Sequence, residues 1–352
     1  MNSSFISEYK PAIILTLALA VFLASCKPPT TTPGKSWVVT TLAGSSTAGD
    51  KNGTGTAAQF DKPHGVAVDS SGNVYVADTD NHRIRKITLK GVVSTLAGST
   101  AGYNPEDAIG TEAQFSNPFG VAVDSDGNVY VADTDNHRIR KITSARVVST
   151  LAGDGTTAQF SFPAGVAVDS DNNVYVADSG NHRIRKITST GGISTLAGNG
   201  SAGDKDATGT EARFRNPYDV AVDSSGILYV ADYHNHRIRK ITSEGVVTTL
   251  AGNGTAGDKN GAGTAAQFNY PSGVAVDSSG ILYVADYSNN RIRKITSEGK
   301  VTTLAGNGSA GDKDATGTEA RFRNPNGVAV DSSGILYVAD SGNNRIRKIE
   351  YK

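Results

Sequence analysis

The 352-residue chain lacks several features that would narrow its function. It has one cysteine, which excludes an internal disulfide framework and a cysteine-rich metal site. Its 34 basic and 34 acidic side chains cancel, and this argues against nucleic acid as a partner, because proteins that bind it usually carry a basic excess. Its one long apolar run, residues 11–25, is shorter than the roughly 20 residues that a membrane-spanning helix needs.

The apolar run and the residue after it indicate export. Residues 1–25 have the short apolar core of a signal peptide, and Leu23-Ala24-Ser25-Cys26 resembles the lipobox of bacterial lipoproteins. That resemblance implies cleavage before Cys26, attachment of acyl chains such as palmitate to it, and a lipid anchor in the cell envelope, with Lys27 favouring the outer membrane. The alternative is an ordinary secretory signal with a chance cysteine. Residues 26–36, rich in Pro and Thr, are predicted to form a tether.

From residue 37 to residue 352 the chain is one unit repeated. Six Pro-x-(Gly/Asp)-Val-Ala-Val-Asp blocks begin at Pro63, Pro118, Pro163, Pro217, Pro271 and Pro325. Each unit holds four short β-branched and aromatic segments between turn formers, which predicts an all-β, six-bladed β-propeller of four-stranded blades. One Thr-Leu-Ala-Gly block, at residues 41–44, precedes the first complete unit. We therefore predict that the N-terminal strand completes the last blade, which hides the sheet edges.

The repeated motif also points to a family. Val-Tyr-Val-Ala-Asp-x-x-Asn-His-Arg-Ile-Arg-Lys-Ile, first present at residues 74–87, resembles the NHL repeat. The resemblance implies a six-bladed propeller over residues 37–352. NHL and related propellers include protein-binding and RNA-binding modules, sensor domains and lyases, so the resemblance leaves the function open and the site must decide it.

Polar residues that recur in all six units are predicted to be architectural. Asp78, Asn81 and Arg83 have equivalents in every unit; Asp and Asn bond nearby backbone in turns, and Arg83 is expected to pair with Asp78 across the loop. One slot is filled by His in four units and by Asn in two, which favours hydrogen bonding over titration: His82, His137, His182, His236, Asn290 and Asn344.

Residues that break the repeat are better candidates for a site. In a four-stranded blade the chain enters the first strand, and passes from the second to the third, on one face of the disc, here called the top face. Aromatic and polar departures gather there, most of them in blades four and five, and nine are candidate ligand-binding residues: His64, Phe119, Tyr218, Asp219, Tyr233, His234, Tyr270, Tyr287 and Asn326. Blade three has a short loop, residues 154–162, which predicts a notch beside them. The alternative is that the rings only pack the long loops.

These residues favour a monomeric, non-catalytic binding or scaffold module without a cofactor, anchored in the envelope and binding a protein, a peptide or a glycan. The alternative is a lyase or lactonase with a metal at the channel mouth, but only His64 occupies the histidine position that resemblance to the peptidyl-hydroxyglycine lyases implies. Loops beginning at Asp50, Asp204 and Asp312 resemble the start of an EF-hand. None has the bidentate Glu, so no metal site is predicted.

Overall fold

Each repeat forms an antiparallel sheet, and six such sheets make up the propeller in the computed structural model, which describes residues 34–103 and 108–352. The predicted six-bladed, all-β fold is confirmed. The predicted signal peptide, Cys26 and the tether as far as residue 33 lie outside the described residues. Within the described part of the chain, no helix is long and apolar enough to cross a membrane.

The strands follow the four segments of the repeat. The first strands, which line the central channel, are Pro63–Val68, Pro118–Val123, Pro163–Val168, Pro217–Val222, Pro271–Val276 and Pro325–Val330. The second strands are Val74–Asp78, Val129–Asp133, Val174–Asp178, Leu228–Asp232, Leu282–Asp286 and Leu336–Asp340. The third strands are Arg83–Ile87, Arg138–Ile142, Arg183–Ile187, Arg237–Ile241, Arg291–Ile295 and Arg345–Tyr351. The fourth strands are Val92–Ala97, Val147–Ala152, Ile193–Ala197, Val247–Ala251, Lys300–Ala305 and, for blade six, Trp37–Ala43.

The N-terminal strand closes the ring as predicted. Trp37–Ala43 pairs with the third strand of blade six in antiparallel register, from Trp37 opposite Tyr351 to Ala43 opposite Ile346. Two backbone hydrogen bonds between Ser36 and Lys352, of 2.6 and 2.9 Å, extend the ladder. The outer strand of the last blade therefore comes from the opposite end of the described chain, and hydrogen bonds rather than a turn join it to the third strand.

Short elements decorate the blades. Single 3-10 turns precede the first strand in five blades, at Gly55–Ala57, Gly110–Glu112, Gly209–Glu211, Gly263–Ala265 and Gly317–Glu319. Others follow each second strand, at Thr79–Asn81, Thr134–Asn136, Ser179–Asn181, Tyr233–Asn235, Tyr287–Asn289 and Ser341–Asn343. In four blades a two-residue strand pairs with the fourth strand at the rim: Gly53–Thr54, Ala108–Ile109, Gly261–Ala262 and Ala315–Thr316.

The short loop of blade three, residues 154–162, forms no 3-10 turn, whereas the equivalent loops of the other five blades do. Blade three has four strands, as does blade four, whose loop has the usual length. Phe162, which is 49% exposed, makes its ring contact with His137 of blade two at 4.7 Å. The notch predicted beside the aromatic residues of blades four and five stays a prediction.

The core lies between blades. The second strands are buried along their whole length, and each hydrophobic cluster joins two neighbouring sheets, as where Tyr75 and Ile84 of blade one meet Phe115 and Val131 of blade two. Burying one such side chain stabilises the fold by about 1.5–3 kcal/mol. Since each sheet is covered on both faces by its neighbours, no blade has a complete core of its own.

An ion pair is buried inside each blade, and it differs from the predicted pair. Asp78 binds Arg85 at 2.6 Å, with both side chains fully buried, whereas Arg83 pairs at the surface with Asp50. Arg85 lies two residues further along the third strand and reaches Asp78 diagonally, within the range of a long side chain. The pairing predicted for Arg83 is thus wrong, but the architectural role of Asp78 is confirmed.

In the loops that resemble EF-hands, carboxylates form ion pairs with the arginines equivalent to Arg83. Arg237 pairs with Asp204 at 2.7 Å and Arg345 pairs with Asp312 at 3.2 Å, repeating the pair between Arg83 and Asp50. A guanidinium group therefore already binds the carboxylate that a metal cation would need as a ligand. Within residues 34–103 and 108–352, no group of three or more His, Cys, Asp or Glu is placed to hold a metal ion.

The buried and surface pairs of one strand allow a direct comparison. Arg293→Met removes the partner of Asp286, which lies 2.6 Å away with both side chains fully buried. Because the carboxylate is left buried without its cation, we expect the free energy of unfolding to fall by about 3–5 kcal/mol. Chemical denaturation of the purified protein measures this loss.

Arg291→Met is the matched control. Arg291 is in the same strand and pairs with Asp258, whose side chain is 58% exposed, so the loss should be about 1 kcal/mol or less. Equal losses for the two variants would show that the buried pair does not have the structural role described.

Candidate ligand-binding site on the top face

The candidate side chains are positioned by two features of every blade, the start of the first strand and the turn after the second. Tyr218 is the second residue of Pro217–Val222, while Tyr233 and Tyr287 each begin a 3-10 turn. Tyr270 precedes Pro271 with a φ of 55°. Its backbone N–H donates to His236 Nδ1 at 3.1 Å, which fixes this strained position.

The predicted hydrogen-bonding role of the His/Asn slot is confirmed around the ring. Each of these side chains accepts a bond from the backbone N–H of the residue that precedes the next blade's Pro, as His82 does from Asn117 at 3.1 Å and Asn290 does from Asn324 at 2.9 Å. The slot therefore connects consecutive blades on the top face and holds the start of each first strand in place.

Seven of the nine candidate side chains are rings in continuous contact on the top face, here called the aromatic cluster: His64, Phe119, Tyr218, Tyr233, His234, Tyr270 and Tyr287. His64 stacks on Phe119 with ring centroids 4.0 Å apart, and the edge of Phe119 meets Tyr218 at 5.1 Å. Tyr218 in turn stacks on Tyr233 at 4.5 Å. Such pairs contribute about 0.5–1.5 kcal/mol each beyond their burial, so the rings are held before any ligand arrives.

The blade-four end of the cluster has an unused polar atom. His234 packs edge-on against Tyr233 at 5.0 Å and against Tyr270 at 5.5 Å. Burial lowers the pKa of His234, and its Nδ1 is buried and has no hydrogen-bond partner in the structure as described. A buried polar atom without a partner costs free energy, and a ligand able to bond to this nitrogen would recover it.

At the other end of the cluster, His64 is a neutral ring. Burial lowers its pKa to about 4, so it carries no charge at neutral pH. Its Nδ1 is 2.8 Å from the Thr79 hydroxyl, which also donates to the carbonyl of Pro118 in the next blade. Thr79 was not among the predicted residues. Its position is Thr or Ser in four blades, so from the sequence it resembles an ordinary turn residue.

The rings cover the mouth of the central channel. Asn326, which is 4% exposed, lies with Tyr218 at the mouth, and both line the same cavity. Beneath them lies a cavity of about 30 Å³, lined by Phe119, Tyr218, Asp219, Ser272 and Asn326 together with glycine backbone. This space suits one water-sized group. Ser272 is a further lining residue that the sequence did not single out, because it is small and offers no aromatic signal.

Asp219 occupies a position that is Gly in the other five blades, and the reason for Gly is close packing. A Cβ on Gly120 would lie 2.4 Å from the carbonyl oxygen of Ala164 in the next blade. In blade four the Asp219 carboxylate instead bridges two blades, accepting from the N–H groups of Val220 and Val274 at 2.9 Å each. Burial raises the pKa of Asp219 to about 7, and the two backbone hydrogen bonds oppose the rise.

All nine predicted residues thus lie together, seven as the aromatic cluster, and Asp219 and Asn326 in the cavity wall. Their arrangement is a ridge of half-buried rings beside one carboxyl group and one amide. Such a surface can stack on a flat apolar group and offer a few hydrogen bonds. That these residues bind a ligand stays a prediction.

Comparison with known proteins establishes the kind of repeat. The family model described as the NHL repeat matches residues 60–87, 115–142, 160–187, 214–241, 268–295 and 322–349. This chain is a six-fold NHL-repeat protein. Each match begins at the buried Phe before the first strand and ends with the third strand, so the family pattern contains the Asp78–Arg85 pair of each blade.

Relatives of this NHL propeller include much longer proteins. NHL repeat-containing protein 2 of Bos taurus is 31% identical over 328 residues, and the match covers 82% of this chain and 39% of that protein. The protein of the same name from Gallus gallus is 30% identical, with 82% of this chain and 38% of that protein covered. The NHL propeller thus spans about two fifths of the length of these relatives.

Solved structures with the same fold have varied functions. An auxiliary nutrient binding protein from Bacteroides thetaiotaomicron superposes with a TM-score of 0.70 at 20% identity, covering 90% of this chain and 77% of that one. Virginiamycin B lyase from Staphylococcus aureus superposes with a TM-score of 0.53 at 16% identity, covering 90% and 99%. At these identities the likeness shows the fold alone.

The buried carboxyl of Asp219 predicts a pH effect. Its pKa in the folded state, about 7, is above the ordinary value of 3.8, so folding favours the protonated form and ionisation costs stability. The cost is absent below about pH 4, grows as pH rises and is complete above about pH 7. The wild type should therefore lose stability relative to Asp219→Gly as the pH rises. From pH 5 to pH 8, the difference in unfolding free energy between the variant and the wild type should increase by about 2–3 kcal/mol.

Denaturation at pH 5 and pH 8 measures this difference. Asp258→Asn is the control, because Arg291 holds the pKa of the exposed Asp258 below its ordinary value and its titration falls outside this window. A wild-type pH dependence that Asp219→Gly leaves unchanged would contradict the prediction.

Proposed function

We propose that this protein is a non-catalytic binding module of the bacterial cell envelope that binds a protein, a peptide or a glycan on its top face. The observation that carries the proposal is the aromatic cluster, which runs continuously from His64 in blade one to Tyr287 in blade five. Its rings are held by contacts of 4.0–6.3 Å, and none of them belongs to a slot that is aromatic in all six repeats.

The details of the cluster favour binding over packing alone. Loop packing would explain buried rings, but it does not explain the partnerless Nδ1 of His234 or a carboxyl group in place of Gly at residue 219. Both features cost stability in the free protein, and both face the same cluster. Bacterial propellers of the same fold that are described as auxiliary nutrient binding proteins also support a binding role.

The envelope location rests on the sequence. The lipobox-like Leu23-Ala24-Ser25-Cys26 and the Pro/Thr tether support an exported protein with lipid on Cys26, and Lys27 supports the outer membrane. Acyl chains contribute about 0.8 kcal/mol per buried methylene, so several chains on one cysteine hold a protein firmly.

A lyase or lactonase is the alternative, and nothing in the site favours it. Metal-assisted elimination or hydrolysis requires a cluster of His or carboxylate ligands. Of the histidines in the aromatic cluster, His64 is bonded to Thr79 and His234 packs between tyrosines. Binding is therefore the function proposed.

Removing two stacked rings should weaken binding. For the double variant Tyr218→Ala and Tyr233→Ala we expect the affinity for a ligand found with the wild type to fall about tenfold or more, because the rings at the centre of the cluster are lost. The ligand is first sought by applying the full-length protein to a random-peptide library and to an array of bacterial glycans.

Tyr351→Ala is the control for loss of an aromatic side chain. Tyr351 is 55% exposed and packs on Trp37 at the ring closure, with centroids 5.1 Å apart, so this variant should keep wild-type affinity. A ligand that binds the double variant as tightly as the wild type would place the binding site outside the aromatic cluster.

The anchor has a separate test in a bacterial host. With Cys26→Ser, label from a palmitate analogue should disappear and the protein should leave the membrane fraction, because the acylated sulfur is absent. Lys27→Asp should keep the label but move the protein from the outer-membrane to the inner-membrane fraction. An unlabelled wild-type protein, or unchanged fractionation of Cys26→Ser, would favour an ordinary secretory signal.

A further inference from the structure

A second set of cavities lies on the face opposite the aromatic cluster, where the turns between the first and second strands meet the turns between the third and fourth. Cavities of about 280, 160 and 190 Å³ occupy three successive junctions, between blades one and two, two and three, and three and four. We call them the junction pockets. They use the same repeat positions and none of the residues of the top face.

Each junction pocket contains a fixed polar network. In the first, Asp69 Oδ2 accepts from the Tyr75 hydroxyl at 3.0 Å and from Asn73 Nδ2 at 2.8 Å, while Oδ1 accepts from two backbone N–H groups. Burial acts to raise the pKa of Asp69, but the hydrogen bonds from Asn73 and Tyr75 outweigh it and lower the pKa. The carboxylate is therefore ionised at neutral pH, and the Asn73 side-chain carbonyl has no role in the network.

The same network recurs in the next two blades. Asp124 accepts from Asn128 at 2.8 Å and from Tyr130 at 3.0 Å. In blade three, Asp169 accepts from Asn173 at 2.9 Å and from Tyr175 at 3.0 Å.

A lysine and a leucine complete each pocket. Lys86 places its ammonium 5.3 Å from the centroid of Tyr75, and Lys141 and Lys186 repeat this at 5.4 and 5.5 Å. Within the described ranges no carboxylate forms an ion pair with any of these three ammonium groups. Leu96 gives the first pocket an apolar wall, and Thr143 and Ser144 of blade two add hydroxyl groups.

The other three blades show that the asparagine is not required for folding. Blades four to six carry Ile227, Ile281 and Ile335 in its place, and these side chains pack against the cores between blades. The turn itself is preserved, since the backbone N–H of Ile227 donates to Asp223 at 3.0 Å as that of Asn73 does to Asp69 at 2.8 Å. The amide in blades one to three therefore supplies something beyond the turn.

We propose that the three junction pockets are equivalent binding sites for a neutral glycan, one sugar ring in each. Carbonyl and carboxylate acceptors, ammonium and hydroxyl donors, and a leucine wall together match a ring that has hydroxyl groups around its edge and an apolar face. Volumes of 160–280 Å³ have the size of a single ring. Three equivalent sites in sequence around one half of the disc provide avidity for a repetitive polysaccharide, because each later contact is intramolecular.

The test uses the full-length protein and immobilised dextran, mannan, xylan and galactan. The variants replace Asn73, Asn128 and Asn173 by Ile, the residue that blades four to six carry, so the fold should be retained. We expect the wild type to bind at least one of the polysaccharides, each single variant to lose affinity a fewfold, and the triple variant to lose it at least thirtyfold. Circular dichroism and the denaturation midpoint check that the triple variant is folded.

The double variant Tyr218→Ala and Tyr233→Ala separates this proposal from the top-face site, and it should retain full polysaccharide binding. If that variant loses the binding and the triple Asn→Ile variant keeps it, the glycan binds the aromatic cluster and the junction-pocket proposal is overturned. Failure of the wild type to bind any of the four polysaccharides would also overturn it, and would leave the top-face proposal to its peptide and glycan arrays.

Discussion

The interaction on which the rest of the structure depends is the buried ion pair inside each blade. Asp78 and Arg85 are both fully buried and 2.6 Å apart. Asp78 also accepts from the backbone of Asp61, and Arg85 donates to the carbonyl of Gln59, so the pair ties two strands to the loop that leads into the first strand. Burying two charges is expensive unless both are fully satisfied, and this requirement fixes the loop, and with it the start of every first strand.

Blades held by this ion pair can carry different side chains at equivalent positions. The top face is specialised in blades four and five, where Asp219 replaces a glycine and tyrosines begin the turns. The opposite face differs in blades one to three, where Asn73 and its two equivalents line polar pockets, whereas blades four to six carry Ile227 and its equivalents at this position. The change on the opposite face does not disturb the strands, because the main-chain hydrogen bond of the turn is made with either residue. One ring thus offers two independent surfaces.

Much of the candidate site could be predicted because a repeat converts sequence position into place on the disc. Tyr218 and Tyr233 stand in slots that lie on the top face in every blade, so their nearness follows from counting. The contact between Phe119 and Tyr218 across the channel mouth could not be predicted, since it joins blades that are not adjacent and depends on how far the first strands converge. The neutral state of His64 is also a result of burial, which no single position in the repeat reveals.

The sequence by itself determined the fold: four segments per unit, six units, and an N-terminal strand that completes the last blade. These follow from local alternation and from counting, which need no knowledge of distant contacts. Only the tertiary structure decided that Asp78 pairs with Arg85 instead of Arg83, and that pockets open between blades. The pairing and the pockets both depend on how deeply a side chain is buried between neighbouring sheets. That burial is set by the packing of the neighbouring blades and not by the residue's own segment.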